Sequence, residues 1–286
     1  MPSASSSSGN LAPAPAEVVI RPAERWGSLQ LREVWEHREL LYILTRRELQ
    51  IRYKQSFVGI GWAVLQPITL TFVFALFFGR LADVGSEGLP YPVFALTAFV
   101  PWLFFAQSIT MSAGSLVVEA DLLSKVYFPR VVVPLSRILS LLIDLVIALA
   151  VVVIFMILYD VSVEASALVV PLFVGLEVLA AIGIGVFLAA LNVRYRDVQV
   201  TVPLIVLLWL FATPVVYPGS LVTGPWEYVY AINPMVAVIE GIRWALLGTT
   251  PPDPAVVGIS VAAALLALGG ASLYFSRTER SFADII

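Results

Sequence analysis

Few side chains in the apolar parts of this 286-residue chain can do chemistry. Asp144 and Glu177 each stand alone in a long apolar run, and Glu240 and Arg243 lie three residues apart in a third. An ionisable group at membrane depth is costly unless it is paired or hydrated, so each needs a reason to be there. Asp144 and Glu177 sit on different segments with no third member for a proton relay. Structural pairing, with Arg137 or with a partner subunit, is therefore the expectation. Glu240 and Arg243, at i and i+3, share a helix face and can neutralise each other, which predicts an ion pair. Contact of that pair with a polar or anionic substrate is the alternative. The chain has no cysteine, which excludes disulfides, thiol catalysis and Cys-bound metals. One histidine, His37, cannot build a zinc site. There is no GxxxxGK[ST] loop for ATP, no GxSxG and no HExxH, so the residues point away from an enzyme.

The elements that hold these groups are set by composition. Hydrophobic residues make up 59% of the chain and charged ones 13%, against roughly 45–50% and about 25% in soluble proteins. Mean hydropathy is +0.92. Lipid must be the solvent for most of such a chain, and the long apolar runs indicate an all-α integral membrane protein rather than a barrel of short alternating strands. A net charge of −3 gives no electrostatic case for nucleic acid.

Residues 1–26 are rich in Ser, Ala and Pro and are expected to be a disordered cytoplasmic tail, not a signal peptide. Residues 27–56 follow as an amphipathic interface helix. Leu31, Trp35, Tyr42, Leu49 and Tyr53 fall on one side, while Arg32, Glu36, Glu39, Arg46, Arg47, Gln50 and Lys54 gather on the other. Such a helix would lie in the membrane surface with its polar side in water. Residues 57–286 form the transmembrane part. The candidate spans are Ile60–Gly79, Tyr91–Val118 (interrupted by Pro92 and Pro101), Ile138–Tyr159, Leu168–Val193, Val198–Tyr217 and Ala255–Ser276. Gly183 and Gly185 in the fourth fit close helix packing.

A seventh apolar stretch, Trp226–Leu247, carries Glu227, Glu240 and Arg243 and is split at Asn233–Pro234. With six crossings and an internal N-terminus, 15 of the 17 Lys and Arg are cytoplasmic, and only Arg80 and Arg243 are not. That asymmetry follows the positive-inside rule. A seventh crossing would put Arg277 and Arg280 outside. The stretch is therefore read as an outer re-entrant helical hairpin between spans five and six, a form tolerated where protein or a cavity shields its backbone.

Six segments in this order resemble one family: RYKQSFVGIGWAVLQP (Arg52–Pro67), LLSKVYFPRVVVPLSRILSLLIDL (Leu122–Leu145), LNVRYRDV (Leu191–Val198), TPVVYP (Thr213–Pro218), INPMVAVIEGIRWALLG (Ile232–Gly248) and RTERSFADII (Arg277–Ile286). They are similar to membrane subunits of ABC-2 type transporters, and more narrowly to permeases that export O-antigen, capsule or teichoic-acid polymers. An ABC-2 permease for lipids, drugs or antibiotics is the alternative. The resemblance implies a homodimer of this chain, in the cytoplasmic (inner) membrane with both termini cytoplasmic, above two copies of a separate ATPase. The ATP and Mg would then belong to that ATPase, with no cofactor on this chain. The substrate implied is a lipid-linked glycan.

The resemblance also implies that the loop between spans two and three carries a coupling helix that docks on the ATPase. It maps to Glu119–Pro129, with Glu119, Asp121, Lys125, Tyr127 and Phe128 as the ionic and apolar docking residues. Aromatic faces stack on sugar rings, and Phe72, Phe74 and Trp102 in spans one and two are candidate glycan-lining residues. Helix packing and interfacial aromatic belts explain them equally well.

Overall fold

A computed structural model describes residues 31–54, 59–82, 84–126 and 128–285. The expected tail at 1–26 and Tyr127 lie outside the described residues. The described residues begin with two amphipathic helices, α1 (Leu31–Glu36) and α2 (Arg38–Lys54). Helix α3 (Gly61–Phe74) starts the first apolar run and continues without a break as a π-helix over Ala75–Leu81. Next come α4 (Tyr91–Val118), the short α5 (Ala120–Lys125), α6 (Val132–Leu158) and α7 (Val170–Arg194). Helices α8 (Val198–Phe211), α9 (Pro225–Tyr230), α10 (Pro234–Leu247) and α11 (Pro254–Ile285) complete the chain. There is no strand among the described residues.

Five helical runs are long and apolar enough to cross a bilayer: 61–81, 91–118, 132–158, 165–194 and 254–279. Helix α4 is one uninterrupted element of 28 residues. Pro92 sits in its first turn, where a missing N–H costs nothing. Pro101 is accommodated inside the helix rather than ending it. The expected fifth span, Val198–Tyr217, differs from its expectation. Only its first 14 residues are helical. At 1.5 Å per residue they cover about 21 Å of a hydrocarbon core of ~30 Å. Residues 212–218 leave the helix because Pro214 and Pro218 cannot donate to a continuing ladder.

Helix α4 is the central post. Of its most apolar stretch, 83% is buried inside the chain, against 11% for the run that contains α3. Helices α3, α6, α7, α8 and α10 pack around α4, and α11 lies along α7. The α7–α11 contact is close because Gly183 offers no side chain. A Cβ there would stand 2.8 Å from the backbone N of Leu268. At Gly185 it would meet the Ser112 Cβ at 3.0 Å, so both glycines serve the packing expected of them.

At one end of the bundle, Leu44, Phe128, Val186 and Phe275 form a second apolar cluster that joins α2 and the segment after α5 to α7 and α11. The buried stripe of α2 is not the one its apolar residues predict. Leu44 and Glu48 turn inward, while Tyr42, Ile43 and Ile51 remain exposed, as does Trp35 of α1. Helix α2 packs against α6, and its inward face combines Leu44, with Leu40 and Leu41 beside it in the apolar cluster, with charge pairing to that helix.

Gly183→Ala should lower the thermal stability of the purified chain in detergent by about 1–3 kcal/mol, because the α7 and α11 backbones must separate. Gly258 of α11 has nothing within 4 Å of an added Cβ, so Gly258→Ala should leave stability unchanged or raise it by about 0.5–1 kcal/mol. Equal effects at the two positions would contradict the close contact.

Candidate functional site: a carbonyl cradle and a charged collar

At the opposite end of the bundle, the irregular segment after α8 is buried. Thr213, Pro214, Val215, Val216 and Pro218 are all buried. Backbone carbonyls in such a place need donors. Arg243, 3% exposed on α10, supplies most of them. Its Nη1 donates to Pro214 O at 2.5 Å and to Tyr217 O at 3.3 Å, and its Nη2 donates to Val215 O at 2.6 Å. Its Nε reaches Phe94 O at 3.3 Å, and the guanidinium lies 3.6 Å from the centre of the Phe94 ring. The hydroxyl of Tyr91 donates to Val216 O at 2.8 Å. Asn233 Nδ2 donates to Ala212 O at 3.1 Å and to Thr213 Oγ1 at 2.8 Å.

Local sequence explains why α10 can present Arg243 there. Asn233 caps the helix by accepting from Met235 N at 3.1 Å, Pro234 occupies the first helical position, and Gly248 closes the helix in the left-handed region at φ 67°. Helices α9 and α10, joined through residues 231–233, make a short helical pair too short to span a membrane.

The expected Glu240–Arg243 ion pair is corrected by this geometry. The donors of Arg243 are committed to carbonyls, and the two residues form no ion pair among the described contacts. Glu240 is half-buried and lies against Gly219, where a Cβ would collide with its carboxylate. Asp144 pairs with Arg52, not with Arg137, at 2.6 Å. Arg52 also donates to Ser140 Oγ at 3.2 Å. Glu177 is fully buried, and neither of its oxygens has a hydrogen-bond partner among the described residues. The expectation that Arg137 would partner either acid is not met.

Arg137 instead belongs to a charged collar at the other end. It pairs with Glu48 of α2, and its Nη2 lies 3.1 Å from Glu119 Oε1. Arg47 of α2 holds the same Glu119 oxygen at 2.5 Å. Charges therefore alternate Glu48–Arg137–Glu119–Arg47 across α2, α6 and the start of α5. Burial pushes the Glu48 carboxyl above its ordinary range, with Arg137 and then Arg47 opposing that shift.

The residues expected to dock on an ATPase thus divide. Asp121 and Lys125 are exposed at the tip of α5. Glu119 is turned inward, and Phe128 is only 5% exposed, packed in the cluster with Leu44 and Phe275. Phe128 anchors the segment to the body instead of projecting from it. Arg130 reinforces that anchor: its backbone N–H donates to Glu279 Oε1 at 3.2 Å, and its guanidinium donates to Glu279 O.

The candidate glycan-lining aromatics also separate. Phe72 is 72% exposed. Phe74 packs on Phe78 and Phe99, with centroids 5.4 and 5.0 Å away. Trp102 is 2% exposed and lies 5.9 Å from Phe105. Phe74 and Trp102 belong to the packing of α3 and α4, so only Phe72 keeps a free face. A different aromatic cavity, of about 610 Å³, opens between α8 and α9 and includes Trp209, Trp226 and Tyr230 in its lining. Among the described residues no group of three or more His, Cys, Asp or Glu could hold a metal.

Sequence reading missed Tyr91, Asn233, Glu48, Arg47 and Arg52 as functional positions. For Glu48 and Arg52 a signal was present: opposite charges at i, i+4 spacing on the helix stripe centred on Leu44.

The chain is thus a multi-pass helical bundle, with a short helical pair packed into it and a charged end where an amphipathic helix is tied on. Residues 39–247 match the family model described as ABC-2 type transporter, and the chain belongs to that family. It is 30% identical over 259 residues to an O-antigen export system permease protein RfbA of Myxococcus xanthus, covering 90% of this chain and 98% of that protein. A Klebsiella pneumoniae protein of the same name is 26% identical, over 87% of this chain and 95% of its own length. The polysialic acid transport protein KpsM of Escherichia coli is 24% identical, over 70% of this chain and 78% of its own.

Arg243→Met should destabilise the purified chain by at least about 3 kcal/mol, since each buried carbonyl left without a donor costs about 1–3 kcal/mol. Arg243→Lys should recover only part of this, because one ammonium cannot serve several diverging carbonyls. Glu240→Gln should be mild, and adding it to Arg243→Met should rescue nothing. Recovery in that double variant, measured by thermal unfolding in detergent, would restore the ion-pair reading.

Proposed function

We propose that this chain is the membrane-spanning permease subunit of an ABC exporter that moves a lipid-linked polysaccharide of O-antigen, capsule or teichoic-acid type across the cytoplasmic membrane. The observation that carries the reading is the end-to-end similarity to O-antigen export permeases, which covers 90% of this chain and 98% of the Myxococcus xanthus relative. In this reading the chain has no ATP site of its own. It pairs with a second copy, and two copies of a separate ATPase bind ATP and Mg beneath them. The membrane is crossed six times, with α8 and the segment after it as the fifth crossing, α9 and α10 as the outer re-entrant hairpin, and both termini in the cytoplasm. The strong bias of Lys and Arg to one side supports that orientation.

The coupling segment acts through Asp121 and Lys125, the exposed charges at the tip of α5. Arg243 has a supporting role. It holds the carbonyls after α8, which keeps it from direct contact with an anionic part of the substrate. Phe72, free on α3, remains a candidate lining residue.

The test of function is co-expression of the chain with its ATPase, followed by ATP hydrolysis assays with candidate lipid-linked glycans. Stimulation by a lipid-linked glycan is expected. Stimulation by drugs or simple lipids alone would favour the other ABC-2 substrate class.

Two further outcomes follow for orientation and docking. Ser3→Cys and Ser281→Cys should react with impermeant thiol reagents in inside-out vesicles and not in intact cells, with no native cysteine to confuse the signal. Combining Asp121→Lys with Lys125→Glu should weaken co-purification of the ATPase and leave thermal stability unchanged. Phe128→Ala should instead cost about 3–5 kcal/mol of stability, as a large buried side chain does.

A further inference from the structure

We propose that the alternating chain Glu48–Arg137–Glu119–Arg47 is the linkage that carries the movement of the ATPase-docking loop into the interface helix and the third span. Glu119 is its central positioning residue. The proposal rests on the reading of the chain as an ATP-driven permease and adds how the stroke is distributed inside it.

The geometry argues for transmission rather than docking. Glu119 sits immediately before α5, and its backbone oxygen accepts from Leu122 N and Leu123 N, each at 3.0 Å. Any displacement of α5 therefore displaces Glu119. Its Oε1 is shared between Arg47 at 2.5 Å and Arg137 at 3.1 Å. One cation belongs to α2, 72 positions back, and the other to the neighbouring α6, 18 positions on, so a single carboxylate joins three elements. Glu119 is only 11% exposed, and Arg137 is 13% exposed. A group so enclosed has little surface to offer a partner chain. Arg137 is in turn held by Glu48, which returns the connection to α2 one residue beyond Arg47. Arg52, a turn further along α2, binds Asp144 of α6 at 2.6 Å and so gives the same two helices a second tie nearer mid-span. Phe128 and Arg130 fix the far end of the loop to α7 and α11. The docking loop is thus clamped at both ends, but only the Glu119 end reaches α2 through charges.

Short ion pairs between half-buried groups suit this role. They resist displacement over a narrow range of distance, and a low local dielectric strengthens them. Apolar packing would let the elements slide.

Because the chain has no native cysteine, the linkage can be replaced covalently. Combining Arg47→Cys with Glu119→Cys removes both contacts of Glu119, to Arg47 of α2 and to Arg137 of α6, and leaves the Glu48–Arg137 pair between α2 and α6 in place. The variant is assayed in proteoliposomes with its ATPase, scoring co-purification, ATP hydrolysis, and glycan exported per ATP consumed. Co-purification and hydrolysis are expected to persist, while export per ATP falls about tenfold, a common size for coupling between residues in one network. A short bis-maleimide that bridges the two thiols should restore export per ATP. Bridging Glu119→Cys to the exposed Arg46→Cys should not.

Loss of ATPase co-purification in the unbridged variant would make Glu119 a docking residue and overturn the proposal. So would unchanged export per ATP, or failure of the bridge to restore it in a chain that assembles. A chain that cannot insert or assemble even when bridged would make the contacts purely structural, and that too would overturn the proposal. Wild-type export that continues with a hydrolysis-dead ATPase would instead overturn the ATP-driven reading itself.

Discussion

Backbone that leaves a helix inside a membrane protein must find its hydrogen bonds within the protein, because lipid offers none. In this chain that requirement falls on residues 212–218, where Pro214 and Pro218 end the helical ladder of α8. Arg243, Tyr91 and Asn233 meet it, each from a different place: α10, the start of α4, and the cap between α9 and α10. The arrangement fixes more than the loop. Arg243 can serve the carbonyls only if α10 is packed beside α4, and α10 enters at that angle only because Asn233 and Pro234 start it there. A buried guanidinium normally demands a carboxylate. Here several carbonyl dipoles and the Phe94 ring face share that task.

The other end of the bundle follows a different logic. The amphipathic α2 is attached to the bundle by Glu48, Arg47 and Arg52, while its Tyr42, Ile43 and Ile51 face outward. Half-buried ion pairs add little net stability but are demanding in geometry. They hold α2 in one register, with Leu44 packed inward, and leave Tyr42, Ile43 and Ile51 free for the membrane surface. The two ends are thus specialised, one rigid through neutral carbonyls and a buried cation, the other joined through alternating charge.

The poor burial of α3 and the exposed apolar row on α8 set these two helices apart from the packed core of α4, α6, α7 and α10. Leu204, Ile205, Leu207, Leu208 and Phe211 are all exposed on α8. Faces of that kind suit lipid, or the second copy in the proposed assembly. The first apolar run ends as a π-helix over Ala75–Leu81, a rare geometry, with Phe78 stacked on Phe74.

Apolar runs, the Asn233–Pro234 break and the charge asymmetry are local features. From them the chain can be read as an all-helical membrane protein with a split hairpin after its fifth apolar run, and six short strings in order carried the family. Glu119 and Phe128 show where that reading ends. Their types and spacing suit an exposed docking knob, yet one is turned toward Arg47, 72 positions away, and the other is packed against Leu44 and Phe275. The Glu240–Arg243 spacing likewise suits an ion pair, but carbonyls 26 to 29 positions away took the donors of Arg243. Helical spacing states which groups can meet on one helix. Which partner wins is decided by the unsatisfied groups that folding brings alongside, and only the tertiary structure supplies those.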